Sequence, residues 1–146
     1  MKSNSIFTLH SLSAAQTLPI RHQVLWPTKA PEFCQVDGDK HALHFGVRAD
    51  QQLVGVASLY REGKTDTVRL RKFATLEAFQ HQGVGSMLMQ HMLDTATEQG
   101  IQYFWCNARE SAYPFYQRFG LQTEGKRFYQ SGIAYFKMGI RLEQQN

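Results

Sequence analysis

The sequence predicts an α+β fold in which a mixed, mostly antiparallel central sheet is flanked by helices. Short segments of alternating apolar residues joined by polar turns fill residues 42–76, a pattern typical of an antiparallel meander. A helix, a strand, a second helix and a hairpin are predicted to follow, which indicates an α/β/α layered arrangement. With 146 residues, 42% of them hydrophobic, and no repeat or linker-like stretch, we expect one domain over residues 1–146.

The first part of the chain predicts a strand over 5–12 and a helix over 13–26. Ser13 is a suitable N-cap, and Pro19 either splits this helix or marks its true beginning. Two prolines and an Asp-Gly pair predict a loop over 27–40. The helix positions at near-helical spacing are Leu18, Arg21, Val24 and Leu25.

The middle of the chain predicts three strands, over 42–49, 52–62 and 66–76. From Gly83 to Gln99 the apolar period becomes helical, and Gly100 is well placed as the C-terminal stop.

The last part predicts a strand over 101–108, a short helix over 109–120 with Pro114 in or near its first turn, and a hairpin over 126–142. The aromatic run "YFWC" (103–106) has no interleaved basic residues, so we expect core packing on both sides of a central strand.

Composition limits the function classes. The net charge of +4 favours an anionic ligand mildly, but Lys and Arg are scattered, so a nucleic-acid-binding domain is poorly supported. Cys34 and Cys106 have no CxxC partner or His cluster, which predicts two buried free thiols and no metal site. With no leader-like segment and no apolar stretch near ~20 residues, we expect a cytoplasmic protein that does not bind membranes.

The stretch "FQHQGVGSML" (79–88) places two glycines where a strand gives way to a helix. Exposed amides at a helix N-terminus suit a phosphate, and glycines let its oxygens approach the backbone. A tight turn without a ligand is the competing interpretation. The dinucleotide fingerprint fails because Leu88 replaces its third glycine, and the P-loop fails because no GKS or GKT follows.

The pattern Gln80-x-x-Gly83-x-Gly85 resembles the acyl-CoA loop of the GNAT acetyltransferase superfamily. Two further stretches, "NARESAYPFYQRFGL" (107–121) and "SGIAYFKMGI" (131–140), are similar to later motifs of the family, although Leu121 replaces the usual Phe. The resemblance covers residues 52–142 and implies the GNAT fold, with acetyl-CoA as co-substrate and no metal.

The resemblance also assigns residues to the cofactor. Backbone groups of the strand before the loop would pair with the pantetheine arm, the loop would wrap the pyrophosphate, and Asn107 would bond the pantetheine or a bound water, or else only cap the next helix. The strand residues are Phe73, Ala74 and Thr75, and the loop residues are Gln80, His81, Gln82, Gly83, Val84, Gly85 and Ser86.

For catalysis the resemblance implies Tyr116 as the acid that protonates the departing thiolate, with helix packing as the alternative. A tyrosine phenol titrates near pH ~10, so it carries a proton to give at neutral pH. Some relatives hold a catalytic Glu on the strand matching 66–76, where this chain has no acidic residue after Asp66. His44 is a possible base, and a water chain is an equal alternative.

Arg69 and Arg71 lie two apart on that strand, on one face. They would select an acceptor amine that carries its own carboxylate or phosphate, unless they are surface groups or pair with Glu62.

The predicted function is direct acetyl transfer from acetyl-CoA to a primary amine of a small molecule or peptide. The alternative is a non-catalytic acyl-CoA sensor with the same fold, and a homodimer is possible for either, since dimers are common among GNAT relatives.

Overall fold

The computed structural model describes residues 6–143, so the predicted strand start at residue 5 lies outside the described part. The strands are β1 (Phe7–Leu12), β2 (Leu43–Ala49), β3 (Gln52–Arg61), β4 (Thr67–Thr75), β5 (Tyr103–Arg109), β6 (Gln122–Gln130) and β7 (Ile133–Arg141). The α-helices are α1 (Ala14–Ile20), α2 (Val84–Glu98) and α3 (Tyr113–Arg118). The predicted order of strands and helices is confirmed.

The seven strands form one mostly antiparallel sheet, flanked by helices, in the order β1-β2-β3-β4-β5-β7-β6. β1 pairs with β2 and β2 with β3 in antiparallel register, and β4 is the next strand beside β3. The predicted order of the three strands over 42–76 and the antiparallel pairing of the first two are confirmed. β4 and β5 are parallel neighbours, paired over Thr67–Leu70 and Tyr103–Cys106. The parallel pair is possible because α2 lies between these two strands in the sequence and provides the crossover.

The chain divides into two compact units. The first contains the chain up to Tyr60 together with Lys72–Met92, and the second contains Arg61–Arg71 and the chain from Leu93 onward. In the first unit, the core is built from apolar residues of β2, β3 and the first half of α2. Gly55 of β3 makes this packing close, since a Cβ there would lie 2.7 Å from Val84 Cγ1.

Helix α1 begins as predicted at the Ser13 N-cap. Ser13 Oγ accepts from the Gln16 amide at 3.3 Å, and Gln16 Oε1 accepts from the Ser13 amide at 2.7 Å, which forms a capping box. Pro19 lies inside α1 and does not mark its beginning. Instead the helix changes type directly after Ile20 and continues as a π turn over Arg21–Leu25, beyond a proline that cannot donate its own amide.

The loop predicted over 27–40 contains two short 3-10 turns, at Pro31–Cys34 and Asp39–His41. Gly38 precedes the second turn with φ +92°, the left-handed conformation that the Asp-Gly pair predicted. The loop is therefore more ordered than its composition indicated.

In the second unit, β5 is buried on one face only. Phe104, Cys106 and Ala108 are buried, whereas Tyr103 and Trp105 are half-buried. The expectation that "YFWC" packs in a core on both sides was therefore wrong. Period-two alternation separates the two sets, and only one of them reaches the apolar core.

Both cysteines are free and buried, as predicted. The terminal hairpin is also confirmed, although β6 begins at Gln122, four residues before the predicted start. Within residues 6–143, no helix is long and apolar enough to cross a membrane.

Candidate active site

The loop between β4 and α2 has the geometry of a backbone anion site. Residues 80–83 are exposed, and Gly83 has φ +91°, which L-residues rarely adopt. The Met87 amide donates to the Gly83 carbonyl at 3.0 Å, so the helical ladder starts there. The amides of Val84, Gly85 and Ser86 precede that ladder and have no acceptor within their own helix. Together with the dipole of the 15-residue α2, they can hold an anion.

Side chains of the loop stabilise this conformation from within. Gln80 Nε2 donates to the Thr75 carbonyl at 3.1 Å, and Gln82 Nε2 donates to the Ala78 carbonyl at 3.0 Å. His81 also has a left-handed backbone, with φ +63°. The predicted strand and loop residues thus lie together in the first unit. The Thr75 carbonyl already accepts one hydrogen bond, from the Gln80 side chain.

Strand β4 changes character before it reaches the loop. Lys72 has φ +58°, an unusual value for a non-glycine strand residue and one typical of a bulge. The parallel ladder with β5 covers Thr67–Leu70 and ends before this point. The backbone of Phe73, Ala74 and Thr75 therefore lies past the end of that ladder.

In the second unit, Tyr116 lies on α3 and is 8% exposed. Burial above all, and also the nearby Cys106, raise the pKa of its phenol well above 10, while Arg109 acts in the opposite direction. The phenol therefore keeps its proton at neutral and mildly alkaline pH. The Phe115 ring contacts it edge to face at 5.3 Å, so packing and proton donation are compatible roles.

Asn107, Arg69 and Arg71 lie on the half-buried faces of β5 and β4. Asn107 is not the last residue of its strand, because β5 continues to Arg109. The Arg69 guanidinium lies over the Trp105 ring, 4.7 Å from its centroid. Glu62, the partner considered for the two arginines, accepts a hydrogen bond from Trp105 Nε1 at 2.6 Å.

His44 is buried in the first unit, and both of its ring nitrogens are hydrogen-bonded. Nε2 lies 2.8 Å from the Asp39 carbonyl and Nδ1 lies 2.6 Å from Ser58 Oγ. A carbonyl only accepts, so Nε2 donates to it, and the Ser58 hydroxyl can fill Nδ1 as its hydrogen-bond partner. A base role for His44 therefore has to compete with the Ser58 hydrogen bond, and it stays a prediction.

A buried ionic network surrounds His44, and the sequence analysis missed it. Arg21 is fully buried, with Nη1 2.9 Å from Asp39 Oδ2 and Nη2 3.1 Å from Oδ1. Ser58 and Tyr60 accept from the same guanidinium at 3.0 and 3.1 Å. The available signal was Arg21 itself, a cation among the otherwise apolar positions of a predicted helix.

The network changes the pKa values of two of its members, Asp39 and Tyr60. Burial by itself raises the pKa of Asp39, but hydrogen bonds from Arg21 and Tyr60 outweigh it and lower that pKa to about 2. Burial and the hydrogen bond to Asp39 raise the pKa of Tyr60 to about 12. Asp39 is therefore an anion and Tyr60 a neutral donor throughout the physiological range.

No group of three or more His, Cys, Asp or Glu side chains in the described part of the chain is arranged to hold a metal ion.

The chain is similar to known proteins in sequence and in fold. Residues 22–142 match the family model of the acetyltransferase (GNAT) domain. The chain is 33% identical over 131 residues to the uncharacterized N-acetyltransferase YitI of Bacillus subtilis, covering 85% of this chain and 88% of that protein.

Solved structures share the fold at lower identity. The ribosomal-protein-S18-alanine N-acetyltransferase from Escherichia coli superposes with a TM-score of 0.79 at 17% identity, over 97% of each chain. Escherichia coli ElaA gives 0.79 at 20% identity, over 92% of this chain and 99% of its own.

Proposed function

The chain belongs to the GNAT acetyltransferase family, and we propose that it is an acetyl-CoA-dependent N-acetyltransferase that moves an acetyl group directly to a primary amine. The observation that carries this proposal is the loop at the N-terminus of α2, where left-handed Gly83 opens a row of amides. Family membership supports coenzyme A as the anion that these amides would hold.

The cofactor roles follow the loop geometry. The amides of residues 83–86 would hold the diphosphate, and the backbone of Phe73, Ala74 and Thr75 would align the pantetheine arm. Asn107, on the half-buried face of β5, would bond the pantetheine or a water bound to it. Bound acetyl-CoA supplies the thioester that the amine attacks.

Tyr116 would supply the proton that the reaction needs. As the carbon–sulfur bond breaks, its phenol donates to the departing sulfur, and solvent then restores the phenolic proton. The amine nitrogen loses its surplus proton to water or to His44. A raised pKa suits this role, because the phenol is fully protonated when the sulfur departs.

The loop assignment can be tested by Gly83→Val. Valine brings a branched side chain to an exposed left-handed position, where it is strained and covers the amides. The variant should lose one or two charge-assisted hydrogen bonds to the ligand. We therefore expect its dissociation constant for CoA, measured by calorimetry, to rise about 10- to 100-fold.

Gly63→Val is the matched control, since Gly63 is also exposed and left-handed (φ +58°) with open space around its Cα, but lies in the β3–β4 turn. It should lose comparable stability and bind CoA like the wild-type protein. Equal CoA affinity in Gly83→Val and wild type would contradict the loop assignment.

Catalysis is tested separately by measuring release of the CoA thiol with a panel of primary amines. Amine-dependent release supports the enzyme. CoA binding without release for any amine would instead support the acyl-CoA sensor, which the missing carboxylate on β4 favours.

A further inference from the structure

One side-chain cluster of the second unit has no place in the chemistry above. Trp105 lies on the half-buried face of β5, with the Arg69 guanidinium 4.7 Å and Lys137 Nζ 4.6 Å from its ring centroid. In the sheet register Trp105 is opposite Arg69, and Asn107 is opposite Lys137. Three neighbouring strands therefore bring two cations and one indole to the same face.

The indole is held in a defined orientation. Its Nε1 donates to Glu62 Oε1 at 2.6 Å, so the ring cannot turn without losing a charge-assisted hydrogen bond. A guanidinium stacked on a ring keeps its N–H donors pointing outward in its own plane. Because the Arg69 guanidinium lies over this ring, the indole anchors the Arg69 charge at this face of the sheet.

The two cations of this face stand beside two carboxylates, Glu62 on Trp105 and Glu124 near Lys137. Lys137 lies 3.8 Å from Glu124 Oε2, and both side chains are 44% exposed, so this ion pair is weak. A ligand oxyanion that reaches both Arg69 and Lys137 would replace that contact with stronger ones.

We propose that the face formed by Arg69, Trp105 and Lys137 binds an oxyanion of the acceptor amine, a carboxylate or a phosphate. This inference rests on the proposed N-acetyltransferase function and adds Lys137 and Trp105 as specificity-determining residues. A polyamine or a lysine-rich tail lacks such an oxyanion and would bring further positive charge to Arg69 and Lys137.

The test compares four amines of modest size: phosphoethanolamine, β-alanine, ethanolamine and spermidine. The wild-type protein should show a higher kcat/KM for one of the two anionic amines than for ethanolamine, with spermidine lowest, and the better anionic amine distinguishes phosphate from carboxylate. Lys137→Met and Arg69→Met should lower the ratio of anionic to neutral kcat/KM by about 10- to 100-fold, through KM.

Lys64→Met is the matched control, because Lys64 is an exposed cation in the β3–β4 turn of the same unit. It should leave the ratio unchanged. If ethanolamine or spermidine is the best acceptor, or if the Lys137 and Lys64 variants behave alike, the oxyanion site is wrong while the N-acetyltransferase function stands.

A binding measurement separates this failure from failure of the enzyme proposal. In CoA-loaded protein, phosphoethanolamine or β-alanine should change tryptophan fluorescence, and the change should be lost in Trp105→Phe. If no amine releases CoA thiol, the proposed function fails and this titration alone decides the oxyanion site. A fluorescence response that survives Trp105→Phe, or no response at all, overturns it.

Discussion

Removal of the Asp39 carboxylate should destabilise the protein more than any exposed substitution. In Asp39→Ala the Arg21 guanidinium stays fully buried, with the Ser58 and Tyr60 oxygens and a backbone carbonyl as neutral acceptors. Breaking a buried ion pair from one side costs about 3–5 kcal/mol, because the remaining charge is uncompensated. We expect a loss of this size in the free energy of unfolding.

The pKa of Asp39 gives an independent magnitude. It falls from the ordinary 3.8 to about 2, which corresponds to roughly 2 kcal/mol of stabilisation of the ionised form. Because the folded-state pKa is lowered, this contribution is complete above pH ~4 and is lost as the pH falls toward ~2. The stabilisation inferred from the pKa is smaller than the loss expected for Asp39→Ala, because a protonated Asp39 still accepts hydrogen bonds whereas alanine accepts none.

Urea denaturation of wild type and Asp39→Ala at pH 7 measures the loss, and a series from pH 5 to pH 2 measures its titration. The control is Asp37→Ala, an exposed carboxylate in the same loop, which should change stability by less than about 0.5 kcal/mol. The double variant Arg21→Met/Asp39→Leu should recover much of the loss. A loss below about 1 kcal/mol in Asp39→Ala, or an unchanged acid titration, would refute the reasoning.

Three further substitutions test other parts of the molecule. Tyr116→Phe should lower kcat by about 10²-fold or more with little change in CoA affinity, and an unchanged kcat under rate-limiting chemistry would leave the phenol as packing only. Gly85→Val should weaken CoA binding at least about tenfold while circular dichroism shows α2 intact, and wild-type affinity would remove Gly85 from the loop's role. Gly139→Ala should cost about 1–3 kcal/mol, since its Cβ would overlap the Tyr103 hydroxyl and lie 2.5 Å from Cζ; an unchanged melting temperature would show that the Tyr103 ring moves freely.

The sequence predicted those features that depend on local patterns. Ser13 begins a helix and Gly100 ends one through contacts with their own neighbours in the sequence, so both could be predicted locally. Ser13 is the N-cap of α1, and Gly100 follows α2 with φ +75°. Period-two alternation located the strands to within a few residues. The glycine loop could also be predicted, because its geometry depends on the backbone of a few consecutive residues.

Features that depend on distant residues were not predictable. Arg21 is buried because Asp39, Ser58 and Tyr60, up to 39 residues away, converge on it. Trp105 is half-buried because its strand face carries charged neighbours from β4 and β7, which only the sheet register brings together. The left-handed backbone at Lys72 has no local signal, since lysine has no preference for that conformation.

The burial of the two cysteines has a practical consequence. Cys34 is 0% and Cys106 2% exposed, so neither thiol is accessible to a reagent while the chain is folded, and burial also raises the pKa of the Cys106 thiol to about 12. A chromogenic disulfide reagent added during turnover would then register the product thiol with almost no background from the enzyme. Without substrate, the same reagent would react only when the folded chain opens. The modification of the two thiols over time would then measure how fast the regions around Cys34 and Cys106 become accessible.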